Sequence, residues 1–500
     1  MAGERYDVVV IGAGLGGLSA AACLAKAGKS VLLVERQDGP GGNAHAFKRG
    51  GYVFDPAIHV TAHGYNIEFL DVYLGALGIA DRLDLMLMDE LYSIVVDGER
   101  YTLPVGEEAV VEYIAGLFPA EADGIARYIE TAAQFTRESQ APPPRVALKD
   151  LAAVMEALPM LFKYRTSTLG AAIAEFVSDP RAASLLGAQW PYMGLPPSKL
   201  SFIAGTGVWM AFMERGPVYV RGSFQKLADA LAEAVLESGG EILYDSEVTE
   251  IAVRDGRVAG VAIDDERRVD AERVVSNADA AITFERLVGE DHVPDRFLRR
   301  LRRMRPSISA FLLYSASTLP VHELGLASEV FMYDHWDHDA TWEDVEAGGL
   351  GGMWLSIPTL HDRSLAPDGE HLVMFTSLTP YDIGEPWEQA RTRFAEQAID
   401  KVEAVLPGYR DSIKFVDTAT PETFERYTLA QKGAIYGWDN APNQVQPKRL
   451  PFETPIEGLY LAGHWTDPGT GSVRCLLSGL RAAATIEGQQ DPIAFLDVLR

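Results

Sequence analysis

The chain has 500 residues, too many for one small core, so two or three domains are expected. Hydrophobic residues make up 47% and charged residues 23%, globular proportions that exclude a disordered, collagen-like or fibrous chain. With 44 Lys and Arg against 71 Asp and Glu the net charge is -27, and so acidic a surface argues against nucleic acid as a partner.

Two cysteines, Cys23 and Cys475, lie far apart and outside any Cys-x-x-Cys spacing. A disulfide framework and a zinc cluster are therefore not expected, which suits a reducing compartment. Val8 to Ala25 is an apolar run close to the shortest membrane span. Acidic residues stand where a leader would be basic and five glycines crowd its middle, so it reads as strand, turn and helix. The expected location is cytoplasmic.

Tyr6 to Ile11 is β-branched and apolar, the pattern of a buried parallel strand. Gly12-Ala13-Gly14-Leu15-Gly16-Gly17 follows, then a small-residue helix ending at Gly28, a second strand over 29–34, and Glu35 at its end. This is the dinucleotide-binding βαβ unit. Gly12 permits the tight turn, Gly14 lets the backbone approach a pyrophosphate at the helix N-terminus, and Gly17 lets helix and strand pack closely. Glu35 falls where a carboxylate accepts hydrogen bonds from ribose hydroxyls.

The continuation Glu35-Arg36 … Gly41-Gly42-Asn43-Ala44-His45 resembles the flavoprotein form of the unit, in which a Gly-Gly leads into a segment lying along the cofactor. FAD is the expected cofactor. No second G-x-G-x-x-G follows a strand, so a separate nicotinamide domain is not expected. Just beyond, Asp55-x-x-x-His59 and His63 follow the segment expected near the flavin. His59 is the candidate catalytic residue, with a satisfied core histidine as the equal alternative, and Asp55 is expected to brace the turn.

Pro142-Pro143-Pro144 reads as a rigid connector. The runs 158–165 and 209–213, rich in Met and aromatics, fit either a polyene entry or ordinary core. A helix over 222–236, short strands over 241–244 and 248–253, a turn at Asp255-Gly256 and a returning strand over 258–263 form the next section. Six arginines between Arg296 and Arg305 alternate with Phe297, Leu298, Leu301 and Met304. This is an amphipathic helix with its apolar stripe in the core or, alternatively, against anionic lipid. Asp334 to Asp339, with His335 and His338, reads as an exposed polar loop rather than a metal site. Finally, a strand ending at Gly463-His464 precedes Gly469-Thr470-Gly471-Ser472-Val473, a glycine-rich loop that opens a helix toward an anionic or electron-rich ring edge.

Taken in order, these segments resemble the phytoene desaturase, carotenoid isomerase and retinol saturase group of flavoproteins. The resemblance implies an α/β fold with a discontinuous Rossmann-like FAD-binding domain, its βαβ unit on a central parallel sheet, from residues 1–65, 215–285 and 450–500. It implies an α+β substrate domain from 66–214 and 286–449. It places the backbone at Val248 against the adenine and Gly463, Gly471, Ser472 and Val473 beside the flavin. His464 departs from the group, which usually carries Asp there, and Asn43 stands where many amine oxidases carry Arg. The implied substrate is a hydrophobic isoprenoid undergoing desaturation, saturation or cis-trans isomerisation, with quinone or oxygen as electron acceptor and peripheral contact with the inner face of a membrane. Two other readings stay open: an amine oxidase acting on a polar substrate, and a flavin-free lipid escort of the Rab GDP-dissociation inhibitor type. Intact Glu35 and Gly41-Gly42 argue against the escort.

Overall fold

The computed structural model describes residues 4–64, 68–140 and 151–500; the Pro142–Pro144 connector lies outside them. Two seven-stranded sheets organise the chain. The first runs in the order Val248–Arg254, Arg257–Ile263, Arg267–Ser276, Glu4–Ile11, Val31–Val34 and Glu241–Leu243, with Leu459–Leu461 also paired to Arg267–Ser276. Its centre is parallel: Glu4–Ile11 lies between Val31–Val34 and Arg267–Ser276, and only the 248–263 hairpin and its neighbour are antiparallel. That explains the unbroken apolar runs, since Val8–Ile11 and Val31–Val34 are buried on both faces.

The helix Leu15–Lys26 is buried from Leu15 to Ala25. It is wedged against Gln225–Glu237 and Ser472–Ile486, and small residues make that possible. A Cβ on Gly17 would collide with the carbonyl oxygen of Gly12, and one on Gly479 with that of Gly16. The late helix is therefore seated directly on the first turn of the early one. The expected helix over 222–236 begins three residues later, at Gln225, because Asp55 accepts from the Phe224 N–H and fixes the preceding loop.

The second sheet runs Ile413–Ala419, Ser309–Ser317, His371–Thr379, Gly351–Ser356, Glu329–Tyr333, Glu90–Val96 and Glu99–Pro104. Ser309–Ser317 and His371–Thr379 are buried along their whole length, so neither alternates and neither announces itself as a strand. Gly351 and Gly352 open a strand of this sheet. Helices from 107 to 215 cover one side and share a core with the sheet through Phe331, Tyr333 and Trp354.

The arginine-rich stretch folds as the helix Asp295–Leu301. Leu298 and Leu301 are buried and Phe297 and Met304 pack beside them, so the apolar stripe faces the core and the arginines face out. The 334–339 segment is not a plain exposed loop. Asp337 caps the helix His338–Glu346 by accepting from the N–H groups of Asp339 and Ala340, and His338 is buried against Ser184 at 3.0 Å. The reason is tertiary: Trp190 and Tyr333 pack on the His338 ring. No helix among the described residues is long and apolar enough to cross a membrane.

Candidate active site

A cavity of about 1090 Å³ opens between the sheets, at the upper end of the range for ligand sites. One half is made of backbone. Gly12 turns with φ +90, a conformation open to glycine, and Gly14 begins the helix Leu15–Lys26 with no side-chain cap and no acidic residue in the first turn. Its N-terminal N–H groups and positive dipole end are thus left for an anion. The Glu35 carboxylate sits at the neighbouring strand end, accepting from the Ala13 and Gln37 N–H groups at 2.7 Å each. These bonds fix its orientation and leave lone pairs toward the cavity.

A second uncapped helix, Ser472–Ile486, begins at Gly471 and again has no acidic residue in its first turn. A Cβ on Gly471 would meet nothing within 4 Å, so the backbone there faces open space. Two unsatisfied helix N-termini, a glycine cradle and a fixed carboxylate fit an FAD, with its phosphates, ribose and electron-rich ring edge.

The other half is made of side chains. His59 is buried, with Nδ1 3.2 Å from the Trp354 indole nitrogen and Nε2 without a hydrogen-bond partner. Desolvation pushes its pKa down to about 4, so the ring is neutral near pH 7. Tyr192 lines the same wall, edge-on to Trp354 with ring centroids 5.3 Å apart. Its hydroxyl donates to buried Glu329, which also accepts from Ser356 at 2.7 Å. Burial raises the Glu329 pKa to about 8, which keeps it protonated. Asp55 accepts from Tyr219 at 2.6 Å and from the Phe224 backbone at 3.0 Å; burial raises it to about 7. It holds the 222–224 loop against the end of the 52–54 strand.

Of the sequence-derived cofactor residues, Gly12, Gly14, Gly16, Glu35, Arg36, Gly41, Gly42, Asn43, Ala44, Val248, Gly463, His464, Gly471, Ser472 and Val473 line the cavity. Ala13, Gly17 and His45 do not: Ala13 holds Glu35, Gly17 packs on Gly12, and His45 turns back to the Gly42 carbonyl at 2.6 Å. Arg36 spends its guanidinium on the carbonyls of Arg426 and Tyr427. The His464 ring lies edge-on to Trp465 and is pushed down to about 4 by burial and by the Arg449 charge, so it too is neutral. Of the aromatic and Met-rich runs, Phe212 reaches the cavity while Trp209, Met210 and Met213 pack in the core.

Sequence reasoning missed Asn277, Arg449, Arg474 and the Tyr192–Glu329 pair. Asn277 follows the strand Arg267–Ser276, and Cβ atoms on Gly14 and Gly16 would lie 2.7 and 2.6 Å from its side-chain amide, which makes it the peg on which the glycine turn is folded. Arg449 donates to the carbonyls of Trp438 at 3.2 Å and His464 at 2.8 Å, tying the last strand to the second half.

Several known proteins resemble this chain in sequence or fold. The chain is 29% identical to prolycopene isomerase 2, chloroplastic, of an Oncidium hybrid cultivar, over 96% of this chain and 83% of that protein. It is 29% identical to the neurosporene-forming phytoene desaturase of Rhodobacter capsulatus, over 97% and 94%. An oxidoreductase from Methanosarcina mazei superposes with TM-score 0.65 at 19% identity, covering 96% of this chain and 99% of that one, which shows the shared fold. A sequence model of the flavin containing amine oxidoreductases matches residues 15–487. The chain belongs to that family, with an α/β fold and FAD as its cofactor.

Proposed function

We propose that this protein is an FAD-dependent oxidoreductase acting on carbon–carbon bonds of a hydrophobic isoprenoid polyene, by desaturation, saturation or cis-trans isomerisation. The observation that carries this reading is the apolar wall facing the glycine cradle, with Val60, Ala62, Phe69, Ile203, Val208 and Phe212. Prolycopene and phytoene, named for the two relatives, support it. FAD, when bound, supplies hydride acceptance and return. The chain binds and orients: Gly12 to Gly16 and Glu35 hold the dinucleotide, Val248 the adenine side, and Gly463 to Val473 the ring side. The aliphatic and aromatic wall excludes water from the reacting bond, while neutral His59 and the Tyr192 hydroxyl offer hydrogen bonds without buried charge.

The division into an FAD-binding part (1–65, 215–285, 450–500) and a substrate part (66–214, 286–449) is supported by the two sheets, each drawing its strands from one set. Electrons pass to a quinone or to oxygen, or return to the product in an isomerisation. Contact with an anionic membrane surface is supported by Arg296, Arg299 and Arg303, exposed on one short helix and the turn after it.

The test is a visible spectrum of the purified protein together with an organic extract, then product analysis after expression in polyene-producing cells. A flavin spectrum with a changed polyene profile is expected. Bound flavin with an unchanged profile, and turnover of amines instead, would transfer the protein to the amine-oxidising branch.

A further inference from the structure

Arg474 is the third residue of the helix Ser472–Ile486, within the N-terminal turn where the helix dipole disfavours a cation. It lines the cavity. Among the described residues its guanidinium has no hydrogen-bond or ion-pair partner. Arg449 donates to backbone carbonyls, and Asp467, the carboxylate whose charge reaches Arg474, pairs through Oδ2 with Arg481 and makes no hydrogen bond to Arg474. Burial lowers the proton affinity of Arg474, but a guanidinium stays charged at neutral pH.

The helix opposite is shaped to this side chain. Gly207 lies inside the helix Phe202–Arg215, and a Cβ there would collide with Arg474 Nη2. The notch seats the guanidinium against the helix Phe202–Arg215, whose Ile203, Val208, Ala211 and Phe212 line the same cavity. A half-buried cation in such surroundings is unfavourable unless an anion meets it, and a planar fork meets a carboxylate best.

We propose that Arg474 is the anchor for a carboxylate at one end of the substrate, so that the cavity takes a polyene acid in preference to a pure hydrocarbon or an alcohol. The inference rests on the polyene reading and names the substrate class within it. Arg474 thereby acts as a specificity-determining residue.

The test is titration of the FAD-loaded protein with all-trans-retinoate and with all-trans-retinol, followed by quenching of tryptophan fluorescence. The wild type is expected to favour retinoate by at least about tenfold. Arg474→Leu is expected to bring the two affinities within about threefold, with Arg474→Lys intermediate. Gly207→Ala, which displaces the guanidinium without removing it, should also erode the preference and guards against a folding defect in the first variant. Equal affinities in the wild type, or an undiminished preference in Arg474→Leu, overturn the proposal and leave the polyene reading standing. A wild type that binds FAD and neither ligand takes both down.

Discussion

The two halves of the cavity are built on opposite plans. The cofactor half is backbone: glycines, two uncapped helix N-termini and one oriented carboxylate. The substrate half is side chains, with Trp354 touching both His59 and Tyr192 and Glu329 buried behind Tyr192. Several other helices are capped by a side chain, as by Asp179, Ser201, Asp337 and Asp491, while Glu107–Leu117, Gln225–Glu237 and Trp387–Val405 start without one. What distinguishes Gly14 and Gly471 is that the bare N-terminus also lines the cavity, where a ligand can take the place of a capping side chain. The cofactor half is rigid in shape and tolerant in chemistry; the substrate half is the reverse.

That contrast breaks most severely at Gly14. Gly14→Val places a side chain against the Asn277 amide at the start of the helix, and the purified protein should carry no flavin absorbance, even after FAD is added. Retained flavin in that variant would show that backbone shape is not what holds the cofactor.

The substrate half should respond to pH instead. Glu329 ionises near 4.5 when unfolded and near 8 in the fold. The folded protein therefore holds the extra proton between those values, and stability falls as pH rises from about 4.5 to about 8. Glu329→Gln should flatten that fall by on the order of 5 kcal/mol in denaturant titrations. A variant profile parallel to the wild type's would mean the carboxyl is ionised in the fold.

Glu35→Ala removes the acceptor and leaves the Ala13 N–H of the glycine turn without its partner. FAD affinity should drop by about 2 kcal/mol, measured by titrating apoprotein, and the apoprotein should lose about 1 kcal/mol of stability as well. His59 has the opposite sign to Glu329. Its pKa falls from 6.5 to about 4 on folding, so stability is lost as pH drops through that window, and His59→Gln should recover on the order of 1 kcal/mol at pH 5. Arg303→Ala is the smallest effect: stability stays within about 0.5 kcal/mol, while binding to anionic vesicles weakens by about 1 kcal/mol.

The same contrast explains how much could be read from the sequence. Turn geometry is written into glycine spacing, so Gly12 to Gly17, Gly41-Gly42 and Gly469 to Gly471 announced the cofactor half directly. The substrate half depends on pairings between distant strands. His59 meets Trp354, and Tyr192 meets Glu329, only after the second sheet has formed, and no local spacing encodes that. Asn277 carried no local signal because its partners, Gly14 and Gly16 in one turn and Gly463 in another, come from two distant segments. His338 looked exposed because its neighbours are polar in sequence, whereas Trp190 and Tyr333 bury it in space. Arg474 did carry a signal: a cation in the first turn of a helix is against the dipole.

The contact between Gly479 and the carbonyl of Gly16 joins segments made at opposite times during synthesis. The early βαβ unit emerges from the ribosome long before the helix whose N-terminus closes the cavity. A nascent chain halted anywhere before Gly471 lacks the cavity wall that Gly471, Ser472 and Val473 supply, whatever the quality of its Rossmann turn. Flavin capture is then one of the last events in maturation, and the yellow colour of a preparation reports the fraction of chains translated through that helix and closed upon themselves.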